Sequence, residues 1–176
     1  KPPVDIQGRK IDPHNRANWL DFNEAIAALQ EEGSSFDGIG FVLSADDPFV
    51  CIDLDDCVDD AGRPTAEAAA ILKEFNTYTE LSPSGKGFHV WLRASIAKSF
   101  RKGPVEVYGA DRYITMTGQW CSKATTIKPR QRELDRLAAR LGVDKGAQDV
   151  STPALSGSHS GIVLDNGPLT AADEAL

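Results

Sequence analysis

At 176 residues, 41% hydrophobic and 26% charged, the chain is long enough to bury the core of one domain and hardly of two. It holds no apolar run near the roughly 18 to 20 residues of a membrane span and no basic-then-apolar leader, and its three cysteines, Cys51, Cys57 and Cys121, lack CxxC or Cys/His spacing, so the expectation is a soluble intracellular protein with buried, reduced thiols rather than a membrane, zinc or disulfide framework. The net charge of −7 speaks against nucleic acid on average, yet residues 1–82 carry 6 Lys and Arg against 17 Asp and Glu, while residues 83–140 carry 12 against 4, an acidic half suited to metal before a basic half suited to phosphates.

The chain opens at Lys1-Pro2-Pro3 without an initiator Met and reads as a fragment. Asn15 to Glu32 reads as a first helix, capped by Asn18, with Trp19, Phe22, Ile26 and Leu29 at helical spacing and Gly33 as its stop. Residues 39–43 are a strand, and after the turn Ala45-Asp46-Asp47-Pro48 the strand 49–54 follows as its expected hairpin partner. Pro64 opens a second helix through Phe75. Three β-prone stretches, residues 77–81, 90–92 and 104–108, and a fourth, 112–118, surround a basic connection from Arg93 to Gly103. Residues 129–141 form an amphipathic basic helix. The expected division is therefore a core over residues 1–144, followed at 145–176 by a Gly, Ser, Thr, Pro and Ala-rich linker to a further domain.

Three features carry chemistry. Asp53 and Asp55 end a strand on the same face, because alternate residues share a face, while Ile52 and Leu54 point into a core. An acidic turn explains such a pair by itself; two divalent cations, Mg²⁺ or Mn²⁺, explain it together with Glu106, a third carboxylate among strand apolar residues. Between them lies Ser84-Gly85-Lys86-Gly87-Phe88-His89, in which two glycines free the backbone to approach an anion and Lys86 and His89 add charged donors. It is not a P-loop, and a hairpin turn is its plainer reading. Three carboxylates, a triphosphate-sized anion site and a basic second half together suggest two-metal nucleotidyl transfer. Tyr108 follows Glu106 on the same strand face and is a candidate for contact with the sugar. The segment from Lys98 to Arg140 holds ten Lys and Arg against four acidic residues and is the expected DNA surface, with Lys98, Arg101, Lys102, Arg132 and Arg136 as contacts.

The order Asp53-x-Asp55, Ser84-x4-His89, Glu106 and Arg112-x-Ile-Thr-x-Thr-Gly118, with Lys1-x-Pro3 and Trp19-x2-Phe22-x2-Ala25 upstream, resembles the primase-polymerase branch of the archaeo-eukaryotic primase superfamily, as found in phage and plasmid replication proteins. The resemblance implies an α+β fold, with an RRM-like antiparallel or mixed sheet carrying the site and a smaller α/β unit beside it. It implies Asp53, Asp55 and Glu106 as ligands of two Mg²⁺ or Mn²⁺ ions, and Ser84, Lys86, His89 and Arg112 as contacts to the phosphates of an incoming dNTP or NTP. The implied partners are a DNA template and primer and a fused or associated helicase, in the cytoplasm of a bacterial or phage-infected cell, with no membrane. The zinc-binding stem of some relatives is lacking. A non-catalytic RRM-like nucleic-acid-binding module would have no use for three carboxylates, and a rolling-circle nuclease would need a His-x-His pair that the sequence does not have. His14 and His159 fall in expected loop and tail.

Overall fold

Alternating apolar positions become strands that are buried on both faces where two layers meet. The computed structural model describes residues 3–143 and 161–165 as an α+β fold of two sheets with few helices. The first sheet contains β1 (Pro3–Val4), β2 (Gly38–Leu43), β8 (Arg112–Met116) and β10 (Gly161–Asp165), in the order β1-β10-β2-β8, all antiparallel. The second contains β3 (Phe49–Leu54), β4 (Thr79–Leu81), β5 (Phe88–Arg93), β6 (Phe100–Lys102) and β7 (Val105–Tyr108) in the order β4-β5-β3-β7-β6, with the short β9 (Lys128–Pro129) running parallel to β5.

One face of the second sheet is an apolar layer. Val50, Ile52 and Leu54 of β3, with Val90 and Leu92 of β5 and Val105 and Val107 of β7, pack against Ala68, Ile71 and Phe75 of α2 (Ala66–Phe75) and Leu134 and Leu137 of α3 (Gln131–Arg140). Full burial of each large aliphatic side chain contributes about 1.5–3 kcal/mol, so this layer dominates stability. On the other face, Cys51, Trp91, Phe49 and Tyr108 meet Leu43, Phe41, Ile114 and Met116 of the first sheet. The two sheets thus share one apolar seam, and the acidic end of β3 emerges at its edge.

Several expectations change. β2 and β3 are not a hairpin: β2 pairs with β10 and β8, β3 with β5 and β7, so the Asp-Asp-Pro turn carries the chain from one sheet to the other. Asp47 closes that turn, accepting the N–H and hydroxyl of Ser44 at 2.9 and 3.0 Å. The first helix is shorter than expected. Asn15 caps only a 3-10 turn at Arg16–Asn18, and α1 (Phe22–Gln30) starts at Asp21, whose carboxylate accepts the N–H of Glu24 while Glu24 reaches back, a capping box. α2 starts at Ala66 with Thr65 as its cap, so Pro64 stands before the helix and not in its first turn. The expected linker contains β10, which lies between β1 and β2; the rest of residues 145–176 falls outside the described residues, as does His159. Cys51 and Cys57 are buried free thiols, as expected, whereas Cys121 is exposed. Among the described residues no helix is long and apolar enough to cross a membrane.

Candidate active site

Strand register assembles the site. Asp53 on β3 lies opposite His89 on β5 and Glu106 on β7; His89 in turn faces Glu80 on β4, and Glu106 faces Arg101 on β6. One row of polar side chains, Glu80-His89-Asp53-Glu106-Arg101, therefore crosses the sheet from β4 to β6 on the face turned to the first sheet. Directly paired residues share a face about 5 Å apart, so these groups meet although the chain separates them widely. Asp55 follows β3 and joins the row's centre: one carboxylate oxygen each from Asp53, Asp55 and Glu106 lies within 4.8 Å of the others.

The acids are not neutralised alike. Glu106 is buried, and its carboxylate is held by Arg101 Nη1 at 2.7 Å, by Arg112 Nη2 at 3.9 Å and by the donated hydroxyl of Tyr108. Among the described residues Asp53 makes an ion-pair contact only with the His89 ring, Nε2 lying 3.8 Å from Oδ1, and that buried oxygen accepts no hydrogen bond; the Arg112 charge acts on it from further away. Burial is the largest influence on the Asp53 carboxyl and raises its pKa; the His89 ring counters it, while Asp55 and Glu106 push it further up. An orphaned buried oxygen among three hard carboxylate donors fits Mg²⁺ or Mn²⁺.

Arg112 comes from β8, so the first sheet contributes to the site. Its guanidinium lies 4.4 Å over the Tyr108 ring, a cation–π contact that sets both side chains beside Glu106. Asp53, His89, Arg112 and Thr115 line an open cleft of about 380 Å³ between the sheets, together with Pro83 and His14. Sequence reasoning leaves His14 in a loop; nothing in its local pattern marks it as a lining residue of the cleft. Glu80 is missed as well, although a Glu inside the β-prone run Thr77–Leu81 is the same signal that singles out Glu106.

The Ser84–Gly87 loop is the tight β4–β5 connection. Gly85 adopts φ +68°, and its N–H is donated to Ser82 O, while the Lys86 N–H is donated to Ser84 Oγ. Two of the N–H groups expected to cradle an anion are therefore used inside the turn; the Ser84 and Lys86 side chains are exposed. Gly87 is required sterically, since a Cβ there would lie 2.3 Å from the Leu54 carbonyl oxygen, and Lys86 O accepts the N–H groups of Cys57 and Val58. The turn is thus fastened to the chain leaving β3, close to Asp55.

The expected DNA contacts divide. Lys98, Arg101 and Lys102 are exposed on and before β6, the edge of the sheet beyond Glu106. Arg132 and Arg136 lie on α3, which packs on the opposite face of the sheet from Asp53, and Arg136 and Arg140 bind Glu74 of α2 at 3.1 and 3.2 Å. This helix keeps its arginines exposed by burying Leu134 and Leu137, and that same burial turns it away from the carboxylates.

No family model matches the chain. Over 120 residues, 64% of its length, the chain is 39% identical to a protein of Nitratiruptor phage NrS-1 named DNA Primase-polymerase, of which it spans 16%.

Proposed function

We propose, on the premise of the primase-polymerase domain that this relative supports, that the chain is the nucleotidyl-transfer core of a DNA primase-polymerase from a phage or plasmid replication protein. The observation that carries the reading is the row across β5, β3 and β7, which brings three carboxylates within 4.8 Å of one another beside a histidine and an arginine.

In this reading Asp53, Asp55 and Glu106 hold two Mg²⁺ or Mn²⁺ ions, which when bound activate an attacking 3′-hydroxyl and offset charge on the pyrophosphate leaving group. Arg101 and Tyr108 keep the Glu106 carboxylate in place. His89 and Arg112 flank the acids from opposite sheets and receive the phosphates of a dNTP or NTP, with Ser84 and Lys86 at the exposed turn that Gly85 and Gly87 shape. The Tyr108 ring, beneath Arg112, borders the sugar. Template and primer run along the β6 edge by Lys98, Arg101 and Lys102. The second sheet corresponds to the RRM-like sheet of the family, and the first, with α1, to its smaller unit. A fused or associated helicase and a cytoplasmic setting in a bacterial or phage-infected cell complete the proposal.

Template-dependent primer extension with Mg²⁺ or Mn²⁺, comparing dNTPs with NTPs, is the test. Asp53→Ala and Glu106→Gln are expected to abolish extension in a folded protein. Extension at the unsubstituted rate by Asp53→Ala would sink the metal-ligand reading, and no extension by the unsubstituted chain would leave a nucleic-acid-binding module in its place.

A further inference from the structure

Glu80 is fully buried, and both of its oxygens are engaged. Oε1 accepts the Thr117 N–H at 3.3 Å and lies 3.3 Å from Nδ1 of His89; Oε2 accepts the Gly118 N–H at 3.0 Å and the Tyr78 hydroxyl at 3.1 Å. A buried carboxylate is tolerated only with such a complement of donors. Because a carboxylate offers acceptors alone, its contact with the imidazole is favourable only when Nδ1 carries a hydrogen. The other ring nitrogen, Nε2, then faces Asp53 and the cleft.

We propose that Glu80 is a positioning residue: it fixes His89 in the Nδ1–H form and aims Nε2 into the cleft. The two backbone N–H groups it also holds follow directly after β8, in the first sheet, whereas His89 stands on the second. Glu80 therefore ties the orientation of the ring to the spacing of the two sheets that enclose the cleft. What Nε2 meets there rests on the nucleotide reading above; the state of the ring does not.

The chain has three histidines, so ¹⁵N-histidine NMR resolves the ring of His89, identified by its loss in His89→Gln. The expected result is a protonated Nδ1 in the unsubstituted chain. In Glu80→Gln the amide oxygen keeps the shorter contact, to Gly118, and the amide NH₂ faces the ring, so the hydrogen moves to Nε2. Tyr78→Phe removes a donor from the far oxygen and is expected to leave the Nδ1–H signal unchanged. An unprotonated Nδ1 in the unsubstituted chain overturns the inference whether or not any variant folds, as does a folded Glu80→Gln chain that retains Nδ1–H.

Discussion

Asp53 and Glu106 stand directly opposite each other on adjacent antiparallel strands, an arrangement in which like charges repel. The fold relieves only one of them. Glu106 has Arg101, Arg112 and Tyr108, while Asp53 keeps a buried oxygen without a hydrogen-bond partner. Asp53→Asn removes the repulsion without changing shape, so its thermal midpoint in chelator is expected to equal or exceed that of the unsubstituted chain. Added Mg²⁺ or Mn²⁺ is expected to raise the midpoint of the unsubstituted chain alone. A metal-induced rise of equal size in the variant would remove Asp53 from the ligand set.

The same asymmetry has a pH signature. The Asp53 carboxyl is raised above 3.8, mainly by burial, so the folded chain binds that proton more readily than the unfolded one. The ionised form therefore costs stability above the folded pKa, and the cost disappears as pH falls through that value toward 3.8. In metal-free buffer the advantage of Asp53→Asn over the unsubstituted chain is expected to shrink on acidification. Denaturant melts across pH 7 to 4 measure it, and an advantage that grows toward low pH contradicts the assignment.

Tyr108 directs its hydroxyl to Glu106 and its ring to Arg112. Tyr108→Phe keeps the ring and loses the bond, so the extension rate is expected to fall about tenfold, the equivalent of one hydrogen bond of roughly 1.5 kcal/mol to a charged group, with the dNTP to NTP ratio unchanged. Tyr108→Ala also removes the ring and is expected to shift that ratio. Steady-state rates with each nucleotide class separate the two roles, and an unchanged ratio in Tyr108→Ala ends the sugar contact.

Charge on the sheet edge and charge on α3 are expected to behave differently toward DNA. Replacing Lys98 and Lys102 together by Ala should flatten the salt dependence of single-strand binding by about 1.4 in log K per log[salt], about 0.7 for each phosphate that is no longer neutralised. Replacing Arg132 and Arg136, on the far face of the sheet, should leave the slope alone. Fluorescence anisotropy titrations across a salt series decide it, and the reverse outcome would route the strand over α3.

Two glycines of one turn should respond for different reasons. Gly87→Ala drives a Cβ to 2.3 Å from the Leu54 carbonyl oxygen, backbone that cannot move without disturbing β3, and is expected to cost about 2 kcal/mol or more. Gly85→Ala meets nothing within 4 Å but must hold φ +68°, which costs about 1 kcal/mol. Urea unfolding gives both values, and equal costs would contradict the steric account at Gly87.

The carboxylates are legible in the sequence because they depend on local rules. Strand periodicity places Asp53 opposite in facing to Ile52, and Glu106 stands out within Val105–Tyr108 for the same reason. Sheet membership is not local. The apolar runs of β2 and β3 adjoin a proper turn, and only the distant partners of β2, on β8 and β10, decide that it belongs elsewhere. Amphipathicity discloses that α3 buries Leu134 and Leu137 but not which side of the sheet they cover. Glu80 is within reach, since a Glu in a β-prone run is worth a question wherever it occurs; His14 is not, because its place in the cleft depends on how the loop before α1 crosses the first sheet.

β10 pairs Leu164 with Val4 on one side and with Ile39 on the other, so a single ladder gathers the two ends of the described chain. The second sheet and the helices on it are assembled wholly between Phe49 and Arg140, whereas the first waits for its interior strand. Such distant pairings carry the loop-closure entropy that slows folding. On the ribosome, the three carboxylates can therefore gather while β2 still shows one bare edge, and bare edges are where other chains attach. The interval of greatest aggregation risk ends when Gly161–Asp165 leaves the exit tunnel and fills the gap.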